Sequence, residues 1–173
     1  MQLELVITGG PCCGKTAVLD RISSKGFVIV PEAARAVIED EQKKTDGILP
    51  WTDNYRFQLK TPQRQTENEL LYEGDPRFLD RTASVEGWAY SMFHKNTLPS
   101  EVERAAYERR YSEILVLEQL PRAYYKTDAQ RKETYEQSCE LSSLILQAYQ
   151  RVGYNPVFVP TFVKAEGATP AEI

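Results

Sequence analysis

Residues 6–26, VITGGPCCGKTAVLDRISSKG, begin as an apolar run, break at two glycines, and resume as a helical pattern behind a lysine and a threonine. Leu3, Leu5, Val6 and Ile7 form a nearly continuous apolar run with the polar Glu4, as expected of a strand covered on both faces. Gly9 to Gly14 is a turn. From Lys15 the spacing of Ala17, Val18, Leu19 and Ile22 predicts a helix, and Gly26 stands where a C-terminal cap belongs. A second apolar run, Phe27 to Val30, follows and ends at Pro31, so two strands flank a crossover helix and pair in parallel.

Within this unit Gly9, Gly14, Lys15 and Thr16 match the phosphate-binding pattern G-x-x-x-x-G-K-[ST]. In such a loop the backbone N–H groups face a phosphate at the mouth of a helix, and glycines let the main chain approach. The lysine brings a positive charge to the outer phosphates, and the threonine hydroxyl suits Mg²⁺. The nucleotide-binding stretch is therefore Gly9, Gly10, Pro11, Cys12, Cys13, Gly14, Lys15, Thr16 and Ala17. Cys12 and Cys13 fit a loop that needs small side chains; a thiol at a helix N-terminus also becomes more acidic and more easily oxidised.

The setting is that of one soluble domain, residues 1–173. An apolar fraction of 42% and a charged fraction of 27% are ordinary for a globule. With 21 basic and 25 acidic residues the net charge is −4, so no general field draws nucleic acid or an anionic membrane, and any anion is captured locally. No stretch approaches the roughly 20 apolar residues of a membrane span, and no signal peptide precedes the first strand, which gives a cytoplasmic expectation. Cys12, Cys13 and Cys139 are spaced neither as a disulfide framework nor as metal ligands, and are expected as reduced thiols.

Three more strands follow: Arg77 to Asp80, Glu113 to Leu117, and the apolar core of NPVFVP at 155–160. Helical patterns run from near Glu32 to Lys44, Asn54 to Tyr72, Ala83 to His94, Pro99 to Arg110 and Asp128 to Val152. Alternating strands and helices predict a doubly wound α/β sheet, with ligands at the carboxyl ends of its strands. Thr169-Pro170 reads as a helix start only a few residues before Ile173.

The ordered set ITGGPCCGKT, VIVPEAAR, LPWTDNYRFQ, RFLDR, YYKTDAQRKETYEQ and GYNPVFVP resembles the small stand-alone P-loop proteins related to the nicotinamide-ribonucleoside kinase domain. More distantly it is similar to the thymidylate and deoxynucleoside kinases. The likeness runs from residue 3 to about 160, and the phosphate loop with PEAAR, DR and D-x-x-R-x-E is far more restrictive than the loop alone. It implies a P-loop NTPase three-layer sandwich with a five-stranded parallel sheet in the order 2-3-1-4-5, and a helical lid at about 119–133.

The residues can be read chemically beside this resemblance. Glu32 follows the second strand and faces the crevice beside the phosphate loop, where a carboxylate can accept a hydroxyl proton or help hold a metal. In the similar deoxynucleoside kinases a glutamate in this place is the base. As a helix-start acid it also answers the helix dipole. Arg35, one turn on, is placed to grip substrate. Asp80 ends the third strand in the Walker B arrangement for Mg²⁺, and Arg81 resembles the DR element that contacts phosphate or acceptor. Glu118, after ILVL, competes with Asp80 for the metal and departs from the family pattern.

Arg122, Lys126 and Arg131 place three cations where a lid would close over a triphosphate, and Asp128, Arg131 and Glu133 match the D-x-x-R-x-E element. Trp51, Asp53, Tyr55, Phe57 and Gln58 lie where an acceptor ring would stack or hydrogen-bond, though aromatics at this spacing also build cores. His94, the one histidine, ends a helix, where C-terminal capping or surface placement explains it.

These residues specify a Mg²⁺-dependent, ATP-binding phosphotransferase of nucleoside or nucleotide kinase type. Lys15, Glu32, Asp80, Arg81 and Arg131 are its catalytic set; Glu32, Arg35 and Arg81 bind substrate; Thr16 and Asp80 hold the metal. Its partners are a nucleotide and a small-molecule acceptor, with oligomeric state open. The alternative is a regulatory ATPase or GTPase switch that hydrolyses nucleotide and phosphorylates nothing. No Asn-Lys-x-Asp element for guanine is present, which favours ATP.

Overall fold

A computed structural model describes residues 2–126 and 133–161. Five strands, β1 (Glu4–Thr8), β2 (Val28–Val30), β3 (Arg77–Asp80), β4 (Glu113–Leu117) and β5 (Val157–Val159), form one parallel sheet in the order β2-β3-β1-β4-β5. The helices are α1 (Lys15–Ser24), α2 (Ala33–Gln42), α3 (Asn54–Leu71), α4 (Ala83–Phe93), α5 (Ser100–Glu108) and α6 (Tyr135–Arg151). This is the order the resemblance implies, and it corrects the expected pairing of the first two strands: they run parallel, but β3 lies between them and pairs with both. β1 is central because it is apolar on both faces: Val6 points to one layer and Ile7 to the other, and both are buried.

On the first face Val6, Val30, Leu79, Ile114 and Val116 meet Val85, Trp88 and Ala89 of α4 and Ile145, Ala148 and Tyr149 of α6. On the second, Ile7 and Leu117 meet Leu19 of α1, with Val18, Ile22, Ile29, Phe78, Leu115 and Val159 around them. Helices on both faces of a parallel sheet make the three-layer sandwich.

Element boundaries follow their caps. Asp53 accepts from the Arg56 backbone N–H at 3.0 Å and starts α3. Pro62 sits inside that helix, where its missing N–H leaves the Gln58 carbonyl without an i→i−4 donor. The Thr61 hydroxyl donates to that carbonyl instead, at 3.2 Å. The expected helix from Asp128 is corrected: its described part begins at Tyr135, because Thr134 and Gln137 form a reciprocal capping box that fixes the start there. Asp128 and Arg131, like Thr169-Pro170 and Ile173, lie outside the described residues. His94 does cap α4, as its position suggests, and stacks on Tyr90.

The segment between α2 and α3 is fastened by Glu41. Its buried carboxylate accepts from Lys44 at 2.6 Å, the Ile48 backbone N–H at 2.9 Å and Lys60 at 3.0 Å. Lys44 first, then the Ile48 amide and Lys60, pull the Glu41 pKa from its ordinary 4.5 to about 2. A carboxylate held below its unfolded value stabilises the fold above that value, and the gain is lost as pH falls through the folded one. The melting temperature is therefore expected to fall between about pH 4.5 and 2, and Glu41→Gln to flatten that part of the wild-type curve; parallel acid limbs in thermal melts would contradict the assignment.

No helix among the described residues is long and apolar enough to cross a membrane.

Candidate active site

The carboxyl ends of β1, β2 and β3 deliver the chemistry to one place. After Thr8 the chain turns through buried Gly9, Gly10 and Pro11 and enters α1 at Lys15. Gly14, the residue before the helix, has φ 84°, and Cys12 has φ 58°. Left-handed residues within such a loop turn successive N–H groups to one side, the nest that binds anions. Cys13 points away into the second core, whereas Cys12, Thr16 and Ala17 stay at least partly accessible.

Lys15 is 6% exposed, and its Nζ lies 3.6 Å from Asp80 Oδ1 at the end of β3. That oxygen is buried and accepts no hydrogen bond from the described residues. Burial pushes the Asp80 carboxyl above its ordinary value, with Lys15 pulling the other way. A buried oxygen left over beside a lysine, with the Thr16 hydroxyl at the next position, is the hard, oxygen-rich donor set that suits Mg²⁺. The donor chemistry therefore fits the metal expected from the sequence.

Glu32 sits at the N-cap position of α2 without capping it through its side chain. Its carboxylate lies between two guanidinium groups, 3.6 Å from Arg81 Nε and 3.9 Å from Arg35 Nε. Arg81 takes φ 69°, which turns it back beneath the site, and its side chain is buried. Its Nη1 donates to Glu86 on the first turn of α4, and Glu86 also accepts from the Thr8 hydroxyl. Burial opposes the Arg81 charge, but Glu86, Tyr90, Glu32 and Asp80 together hold its pKa well above the usual arginine value. The Tyr149 hydroxyl completes this layer, 2.8 Å from Thr82 Oγ1.

Lys15, Glu32, Arg35, Asp80 and Arg81 are thus brought together. Other sequence candidates fall elsewhere. Glu118 accepts from the Thr161 backbone N–H at 3.1 Å, across the end of β5, while Asp80 is the acid beside Lys15. Arg122 pairs with Glu136 and lies 4.9 Å over the Tyr135 ring. Lys126 is exposed, and its carbonyl accepts from the Cys12 thiol. Trp51 and Tyr55 are exposed, Asp53 caps α3, and Phe57 and Gln58 are buried.

Sequence reading missed Glu86 and Tyr90. An acid within the apolar run Val85 to Ala89 was the signal for the first. Tyr90 carried none; burial, with Glu86 and Glu32 adding to it against Arg81, pushes its phenol up to about 12.

Residues 4–165 match the model of a family described as AAA domain. No curated protein matches the chain by sequence. Among solved structures it is similar to deoxyadenosine kinase from M. mycoides. With dATP bound, that enzyme superposes with TM-score 0.62 at 14% identity, covering 92% of this chain and 90% of that one. With the products dCMP and a flexible dCDP the TM-score is 0.59, again at 14% identity, covering 92% and 89%. The NadR protein in complex with NR is similar with TM-score 0.59 and 18% identity, over 92% of this chain and 43% of that one. At these identities the likeness establishes the nucleoside-kinase-like P-loop fold.

Proposed function

The chain belongs to the AAA-domain family whose model it matches over residues 4–165, and from that footing we propose that it transfers a phosphoryl group from ATP to a hydroxyl of a nucleoside or nucleotide. The observation that carries this is the meeting of Lys15 and Asp80 with Glu32 and its flanking arginines at the ends of three adjacent strands. A nucleotide-binding switch requires the first pair. A carboxylate between guanidinium groups, next to the phosphate cradle, is what an acceptor hydroxyl requires.

In this reading the loop amides from Gly9 to Ala17 and the Lys15 ammonium bind the β- and γ-phosphates. Thr16 and Asp80 would hold Mg²⁺, which when bound neutralises phosphate charge. Glu32 takes the acceptor proton as the new P–O bond forms and the bond from the γ-phosphorus to the β,γ-bridging oxygen breaks, releasing ADP, and Arg35 orients the acceptor. Arg81, fixed by Glu86, presents a guanidinium whose Nε has no hydrogen-bond partner among the described residues. It steadies charge on the migrating group, and Arg131 is assigned to the same task from the sequence. The deoxyadenosine kinase structures with nucleotides bound and the NadR structure with NR support this choice of substrate class.

Glu32→Gln tests the assignment. Glu32 makes no side-chain cap on α2, so the helix should be unaffected. Acceptor phosphorylation should fall by about 10²–10⁴-fold, the range of general-base catalysis, with ATP affinity kept within about twofold. Undiminished transfer by the variant would remove Glu32 from the proton step.

A further inference from the structure

The apex of the phosphate loop is held from outside by residues too far along the chain to belong to the loop. The Pro11 carbonyl accepts from Ser138 Oγ at 2.6 Å and from Gln119 Nε2 at 3.0 Å, and the Ser138 hydroxyl also lies 3.2 Å from Gln119 Oε1. Ser138 is fully buried in the first turns of α6; Gln119 follows β4 by two residues. Gly10 is pressed against the same pair: a Cβ there would stand 2.7 Å from the Ser138 carbonyl oxygen and 2.8 Å from Gln119 Oε1. One residue on, the Cys12 thiol donates to the Lys126 carbonyl at 2.8 Å.

Two physical facts give this clasp a consequence. A phosphate cradle works only if its N–H dipoles point in and its carbonyls point out, since a carbonyl turned toward a polyanion repels it. Cys12 adopts a left-handed conformation that L-residues other than glycine avoid, and such a residue keeps it only where its surroundings over-determine it. The two donors engage the Pro11 carbonyl and fix the peptide that leads into Cys12.

We infer that Gln119 and Ser138 are positioning residues of the phosphate loop, setting its affinity for polyphosphate without touching the nucleotide. The inference rests on the nucleotide-binding part of the proposed function.

Calorimetric binding of ATP and, separately, of inorganic tripolyphosphate to the intact chain tests it. Gln119→Leu and Ser138→Ala should each weaken both probes by about tenfold and by the same factor, since the defect lies in the phosphate cradle. Gln119 is half-buried, so Gln119→Leu should leave the unliganded melting temperature nearly unchanged, and it decides the matter should Ser138→Ala not fold. Variants that melt lower yet bind both probes within twofold of wild type would overturn the inference, reducing the clasp to ordinary packing. Wild-type chain that binds neither probe would overturn the reading beneath it, and the inference with it.

Discussion

Replacing Lys15 by Ala is expected to lower nucleotide turnover by about a thousandfold or more. Lys15 is almost completely enclosed, and its Nζ faces Asp80 across 3.6 Å. In an enclosed site a fixed charge acts on transition-state phosphate oxygens far more strongly than it would in water; losing one preorganised donor alone costs on the order of 10²–10³ in rate. Here the variant loses an ammonium and also leaves the buried Asp80 carboxylate without its neighbouring cation. Lys15→Arg should not rescue, because a planar guanidinium is larger than an ammonium and arranges its donors differently. The check is steady-state turnover beside a binding isotherm for ATP. Full turnover in Lys15→Ala would move the transfer site elsewhere.

Asp80→Asn should show opposite effects on activity and stability. Turnover is expected to fall by roughly 10²–10³-fold, the loss typical of a single electrostatic group in a preorganised site. The unliganded chain is nevertheless expected to melt higher at neutral pH. Burial raises the folded pKa of Asp80 above its unfolded value, so stability is lost as pH rises from the unfolded value through the folded one. The amide resembles the protonated carboxyl in shape and charge, and removes that cost. The sign fixes the pH dependence: the gap between variant and wild type should close as pH falls below the ordinary carboxylate range, where the wild-type side chain is neutral as well. Calorimetric melting at pH 7 and at about pH 3 reads both. A variant less stable than wild type at pH 7 would mean that the Lys15 pairing outweighs burial.

The sheet was legible because four of its five strands are short, nearly continuous apolar runs, and the crossover between the first two makes them parallel; that β3, the charged-ended RFLD, inserts between them was not legible from that unit. β1 and β4 match their sequence bounds to within a residue. The phosphate loop was legible for a different reason: its glycines and lysine are fixed by local chemistry and occupy consecutive positions. What sequence could not supply was the partnership of distant polar groups. Thr8, Arg81 and Glu86 come from β1, the exit of β3 and the first turn of α4, and only the fold closes them into one layer. Glu118 and Asp80 look alike on paper, both acids after apolar strands. They separate because β4 places its acid against Thr161 at the far edge, whereas β3 adjoins β1 and so meets Lys15. Arg122 drew attention as a lid cation, yet Glu136 and the Tyr135 ring hold it against the start of α6. The Thr134-x-x-Gln137 signature that starts α6 was present in the sequence and weaker to the eye than the charge run before it.

The most direct test of phosphoryl transfer is the fate of the γ-phosphate. The chain is incubated with Mg²⁺ and ATP labelled on that phosphate, together with a panel of nucleosides and nucleoside monophosphates, and the labelled products are separated. The account predicts label on the hydroxyl or phosphate of at least one acceptor, at a rate that collapses in Glu32→Gln. Label recovered solely as inorganic phosphate, at a rate indifferent to every acceptor and to Glu32, would contradict it.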